Sequence, residues 1–164
     1  MRIIEELHIG KPLEPGHELA LSILLTREYL SRLMDERVFR SAGLTDPQFN
    51  VLRILKGGPP EGYTIGEIRR RIITRSADLP RLVDRLVGQG LAVRQTNPQD
   101  RRSWQVCLTP EGETCQAGLS PVHAAVLREL ETLLPEAERA LLLELLERLR
   151  DGLRTLSEGP DERA

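Results

Sequence analysis

Asn97–Thr109 reads NPQDRRSWQVCLT: a proline-containing turn, an acid, two consecutive arginines, and a run that closes on Leu108-Thr109. The pattern is that of a hairpin tip followed by a strand, with Asp100, Arg101 and Arg102 at the turn. A charged tip alone is an ordinary solvated turn, so its meaning rests on its neighbours. Leu91 to Gln95 and Ser103 to Thr109 read as the two flanking strands. In the second, Trp104, Val106 and Leu108 share one face while Ser103, Gln105 and Cys107 share the other. Trp104, the only tryptophan, is expected to anchor the hairpin to the body of the protein.

Immediately upstream, Leu79, Leu82, Val83 and Leu86 recur at helical spacing, and Gly90 follows as a C-terminal cap. The start of this helix is assigned to Asp78 rather than Ser76, because Asp78 leaves Pro80 in the first turn, where its missing N–H costs nothing. Farther upstream, Thr64-Ile65-Gly66-Glu67 is a capping box that opens a short helix through about Ile72. Leu44-Thr45-Asp46-Pro47 opens another, with Thr45 as cap and Phe49, Val51, Leu52, Ile54 and Leu55 as its apolar positions. Gly57-Gly58-Pro59-Pro60 ends it. His17 to about Phe39 carries Leu19, Ile23, Thr26, Leu30 and Leu33 at four-three spacing and predicts a long first helix. Met1 to Gly16, with two prolines and two glycines, reads as an irregular arm packed on a partner chain. Downstream, two more helices are expected from Pro110 to about Leu130 and from Pro135 to about Leu156. The last has Leu142, Leu146, Leu149 and Leu153 along one seam, more apolar surface than a lone terminal helix can bury.

Short helix, tight connection, second helix and hairpin together make the winged helix-turn-helix order. The fold class is therefore mainly α with a small β-hairpin wing and long N- and C-terminal dimerisation helices. Residues 1–40 form the arm and first dimerisation helix, 41–109 the winged lobe, and 110–164 the C-terminal dimerisation helices. In this architecture the second helix enters the DNA major groove by its N-terminal part. Arg75, Ser76, Asp78, Arg81 and Arg85 are its candidate DNA contacts. An arginine carried on the hairpin tip gains from the concentrated negative potential of a narrow minor groove. Asp100, two residues before Arg102, is placed to aim that guanidinium by a charge-assisted bond.

Charge supports this placement. The chain of 164 residues carries a net charge of −2, which hides a strong asymmetry: residues 64–104 sum to +5, between flanks of −1 and −6. Arg69, Arg70 and Arg71 add to the basic middle without specifying a contact. Two cysteines, Cys107 and Cys115, and three scattered histidines provide neither a disulfide framework nor a metal site. There is no phosphate loop and no nucleophile with an acid and a base beside it, so neither an enzyme nor a cofactor is expected. Without an apolar run of about 18 residues or a signal peptide, a cytoplasmic, membrane-free protein is expected.

The segments LTDPQFNVLRIL, RLVDRLVGQGLAVR and NPQDRRSWQVCLTPEG resemble the MarR (multiple antibiotic resistance regulator) family of bacterial transcription factors, and the likeness extends over essentially the whole chain. The resemblance implies a homodimer that reads a pseudo-palindromic double-stranded DNA operator, expected to act as a repressor. It places Asp100 and Arg102 on the family's wing Asp-x-Arg and Arg81 on the DNA-facing part of the recognition helix. It also implies a small anionic or aromatic effector between the dimer helices and the DNA lobe, where Tyr29 and Arg32 are the candidate ligand contacts. The chain departs from the family where Ala77, Asp78 and Pro80 replace hydroxyl residues common in other members, so base contacts are not carried over there. Two alternatives stay open: a regulator that senses oxidants through Cys107 or Cys115, and a winged-helix module whose basic face binds an acidic protein.

Overall fold

The computed structural model describes residues 3–73, 78–96 and 103–158. Its elements run α1 (Ile3–Glu6), α2 (Pro15–Met34), a π turn (Asp35–Phe39), a 3-10 turn (Arg40–Ala42), α3 (Asp46–Lys56), β1 (Tyr63–Thr64), α4 (Ile65–Arg71), α5 (Leu79–Gly88), β2 (Ala92–Thr96), β3 (Trp104–Leu108), α6 (Pro110–Thr132) and α7 (Glu136–Glu158). The chain separates into two compact units, Met1–His123 and Ala124–Ala164, with α6 running through the boundary.

The first unit is organised around α3. Phe49, Val51 and Leu52 on this helix are fully buried, and so are Phe39, Ile68, Val83, Leu86 and Val106 from the elements around it. Phe39 lies tilted against Phe49 with ring centroids 5.3 Å apart, an arrangement worth about 0.5–1.5 kcal/mol beyond the area it buries. Capping works as the sequence predicts. Thr45 N–H donates to Gln48 Oε1 at 3.0 Å. Thr64 Oγ1 accepts from Glu67 N–H at 3.3 Å while Thr64 N–H donates to Glu67 Oε2 at 2.8 Å. The Thr64 amide, and after it the Thr64 hydroxyl, which donates to the same oxygen at 2.8 Å, hold the Glu67 pKa below its ordinary value.

Three expectations need correction. The first helix does not run regularly to Phe39: α-geometry stops at Met34, and Arg40 N–H then bonds back to the Asp35 carbonyl across the π turn. The wider turn brings the adjacent Val38 and Phe39 both into the core, at 1% and 0% exposure. The N-terminal segment is not wholly irregular, since Ile3–Glu6 makes a helical turn with Ile3 buried. The sheet has three strands rather than two, in the order β1-β3-β2, all antiparallel. Tyr63 pairs with Val106 and Thr64 with Gln105, which makes β3 the central strand. Its burial therefore does not alternate: Gln105, Val106 and Cys107 are all buried.

The base of the hairpin is closed at one point. Gly90 adopts φ 71°, and Gly90 N–H donates to Val87 O and Leu91 N–H to Leu86 O, both at 2.9 Å, the paired bonds of a Schellman cap. Thr109 Oγ1 donates to the Gly90 carbonyl at 2.6 Å and accepts from Gly112 N–H at 3.0 Å, while Thr109 N–H donates to Leu91 O at 3.3 Å. This seats the first turn of α6 against the end of α5. A Cβ on Gly112 would lie 1.9 Å from Leu91 O, whereas one on Gly118 in the same helix would meet nothing within 4 Å.

Gly112→Ala is accordingly expected to destabilise by at least about 1–3 kcal/mol, the usual cost of forced overpacking. Gly118→Ala should be neutral or stabilising by up to about 1 kcal/mol. Urea midpoints of the two variants decide the matter, and similar midpoints would contradict the close approach.

A second expectation concerns acid. His123 on α6 lies against Phe49, ring centroids 5.3 Å apart. Burial, followed by the nearby Arg53 charge, lowers its pKa, with Asp46 opposing. The folded state thus binds fewer protons there than the unfolded state, so stability is full above the ordinary histidine pKa of about 6.5 and declines as pH falls below it. Replacing His123 by Gln should flatten that part of the stability–pH curve. A curve as steep as wild type would assign the dependence to other groups.

Candidate nucleic-acid interface

α5 is the element on which the candidate interface is built. Leu79, Val83 and Leu86 are buried at 2%, 0% and 0% exposure, and the opposite side carries the exposed Arg81 and Arg85. Asp78 occupies the N-cap position, as the sequence predicts, but its carboxylate does not cap the helix. Instead Asp78 Oδ2 accepts from Arg81 Nη1 at 3.3 Å. The two side chains are 53% and 80% exposed, and such an open pair contributes little stability. Its effect is to hold the Arg81 guanidinium beside the start of the helix.

The three arginines of α4 are not equivalent. Arg71 donates to the Glu67 carbonyl at 2.9 Å and lies 4.3 Å from the centroid of the Tyr63 ring. Those contacts tie it to the lobe, while Arg69 and Arg70 stay exposed.

A contact missed by the sequence reading joins the wing to α5: Arg94 Nη1 on β2 and Asp84 Oδ1 lie 2.9 Å apart. Arg94 is only 34% exposed, and its Nε is buried with no partner among the described residues. The signal was present in the register. Arg94 pairs with Val106, and Ala92 with Leu108, so Arg94 stands on the same face as the buried Ala92 and Val106.

Arg75, Ser76, Asp100, Arg101 and Arg102 lie outside the described residues. Trp104 is 58% exposed and does not anchor the hairpin as expected. It sits beyond the last residue paired with β1, which reaches only Gln105 and Val106. Among the described residues no neighbouring strand flanks it on that side.

Tyr29 and Arg32 engage different acids. The Tyr29 hydroxyl donates to Glu6 Oε1, and this bond, with burial second, raises its pKa. Tyr29 lines a cleft of about 170 Å³ between α1 and α2 with Ile3, Glu6, Ser22, Leu25 and Thr26. Arg32 turns instead to Glu36, Nε to Oε1 3.2 Å. Cys107 is buried and Cys115 half-buried. Cys107 accepts from Gln95 Nε2 at 2.8 Å and donates to the Glu61 carbonyl at 3.0 Å. Burial pushes both the Cys107 and the Cys115 thiol up.

On the candidate dimerisation helices, α7 has no buried residue. Leu142 and Leu153 are 43% and 55% exposed, and Leu146 and Leu149 are half-buried. Along α2, Leu19, Ile23 and Leu30 are exposed. No helix among the described residues is long and apolar enough to cross a membrane.

Residues 42–103 match the MarR family. The HTH-type transcriptional regulator MhqR of Bacillus subtilis is 30% identical over 135 residues, covering 80% of this chain and 90% of that protein. A mutant MarR from E. coli, solved in complex with operator DNA, superimposes with a TM-score of 0.71 at 28% identity, covering 80% of this chain and 92% of that one. The PcaV regulator of Streptomyces coelicolor, solved with its natural ligand, gives a TM-score of 0.74 at 23% identity over 86% and 97% of the two chains. This last likeness shows the shared fold.

Proposed function

The chain belongs to the MarR family of transcriptional regulators, and from that membership we propose that two copies of it bind a pseudo-palindromic operator and repress. The observation that carries the reading is the two-sidedness of α5, which buries Leu79, Val83 and Leu86 while Arg81 and Arg85 stand in solvent. Such a helix can enter a major groove without disturbing the core. Asp78 and Arg81 sit at its groove-entering end, and the arginines of the basic segment extend the positive surface. From the sequence, Arg75 and Ser76 precede this helix, and Asp100, Arg101 and Arg102 occupy the wing tip.

Dimerisation follows from surface left uncovered. The leucines of α7 and the stripe on α2 are far more apolar surface than water-facing helices ordinarily carry, and a second copy of the chain supplies matching helices. A small anionic or aromatic effector fits as the releasing signal. It would shift the spacing of the two recognition helices through its differential affinity for two dimer states. The cleft beside Tyr29 is the candidate entry point, and PcaV, of the same fold, was solved with a natural ligand. Cysteine oxidation is the weaker reading, because a thiol with a raised pKa is a poor nucleophile toward oxidants and both thiols here are raised by burial.

The reading is tested on the DNA upstream of the protein's own gene, by titration across a salt series. Arg102→Ala should weaken binding by about 1–3 kcal/mol and lower the salt slope, with thermal stability unchanged. Wild-type affinity at every salt concentration would remove the wing from the interface. At the dimer seam, Leu146→Asp should cost several kcal/mol by placing a carboxylate among leucines, seen as monomer or unfolded chain in sedimentation. A variant that sediments as a wild-type dimer would move the interface elsewhere.

A further inference from the structure

The sole tryptophan of the chain is more than half exposed in a protein with only 3% aromatic residues. Its position is specific. The register Ala92↔Leu108, Arg94↔Val106 and Thr96↔Trp104 puts Trp104 on the same face of the hairpin as Ala92, Arg94 and Val106. Ala92 and Val106 are buried, and Arg94 reaches Asp84 of α5, so this face turns toward the recognition helix. β2 leaves the end of α5 at Gly90 and has come alongside Asp84 by Arg94, which means the strand runs back along the helix. Trp104 and Thr96 lie one inward step farther out, about 7 Å along the strand. That step carries Trp104 farther from Gly90, in the direction of the turn of α5 that holds Arg81.

We propose that Trp104 is a DNA contact whose indole packs on the deoxyriboses of the backbone strand running between the groove entered by α5 and the groove reached by the wing. The inference rests on the DNA-binding reading and adds a residue to it. The corner between a helix in the major groove and a wing in the minor groove is where that backbone must pass. Its inner surface is the apolar sugar edge, and its outer surface is the phosphate row. The exposed Arg81 and Arg85 of α5 suit the phosphates, and the uncharged, flat indole suits the sugars. The charge of +5 over residues 64–104 favours a polyanion over a second acidic-flanked copy of the chain as the occupant. A sugar contact carries no base information and releases no counterions, so it strengthens binding to any duplex at any salt concentration.

The single tryptophan makes its own emission the readout. Wild-type protein is titrated with the duplex from upstream of its gene and with a random-sequence duplex at low salt, following DNA anisotropy and indole emission together. Binding to either duplex is expected to shift the emission and shield the indole from acrylamide. Trp104→Ala is expected to bind both duplexes about tenfold more weakly, about 1.4 kcal/mol, with the salt slope of wild type, and Trp104→Phe to recover part of the loss. Emission and acrylamide access that stay unchanged while anisotropy reports bound DNA would overturn the inference, as would wild-type affinity of Trp104→Ala. An emission change on concentrating the protein without DNA would assign the indole to a protein contact and overturn it equally. If wild-type protein leaves the anisotropy of both duplexes unchanged, the DNA-binding reading itself fails, and that result is distinct from the others.

Discussion

Thr109 holds the geometry on which the lobe depends. Its hydroxyl and amide reach the Gly90 and Leu91 carbonyls just past α5, and the same hydroxyl accepts the Gly112 amide in the first turn of α6. One side chain thus fixes the end of α5, the start of β2 and the start of α6 relative to one another. The arrangement requires glycine at two places. Gly90 supplies the left-handed turn, and Gly112 lets a helix backbone come against the Leu91 carbonyl. Without that junction, the Asp84–Arg94 pair would have no fixed separation to span.

That pair, in turn, orients the wing on α5. Exposed ion pairs contribute little to stability, yet this one uses an arginine that is two-thirds covered. Its value lies in direction more than in energy: it sets the angle between β2 and α5, which the proposed fit of both to one duplex requires. The acidic surplus of the flanking segments has a complementary role. It keeps the whole chain near neutrality while the basic middle stays concentrated, so attraction to DNA acts at one part of the chain.

Much of this was legible in the sequence because the signals are local. The Thr64–Glu67 capping box, Pro80 in the first turn, Gly90 past the last, and the helical spacing of Leu79, Val83 and Leu86 all concern residues within one or two turns of each other, and the structure places them as read. What was not legible depends on distant partners. β1 is two residues long and has no period to detect; only β3 defines it as a strand. Its presence turns β3 into a central strand, which is why alternation failed there and why Gln105 and Cys107 are buried with Val106. Trp104 was misread for the same reason, since a large apolar residue reads as core until the edge of the sheet is known. Arg94 looked like one more basic residue until the register placed it on the inward face opposite Asp84. The carboxylates that engage Tyr29 and Arg32, Glu6 and Glu36, were likewise not legible, because Glu6 meets Tyr29 only once α1 packs beside α2.

The π turn at Asp35–Phe39 bears on how this chain can vary. A π turn is an α-helix carrying one residue too many, and each residue of an α-helix accounts for about 100° of rotation. Chain length between Met34 and Arg40 therefore sets the azimuth of the α2 stripe about its own axis relative to the Phe39–Phe49 core. Losing a single residue there would restore ordinary helix, so Val38 and Phe39 could no longer both face the core. With Phe39 kept against Phe49, Leu19, Ile23 and Leu30 would swing to another side of α2 and redirect the surface that seeks a partner. In this fold the two tasks are geared together by the count of residues in one turn.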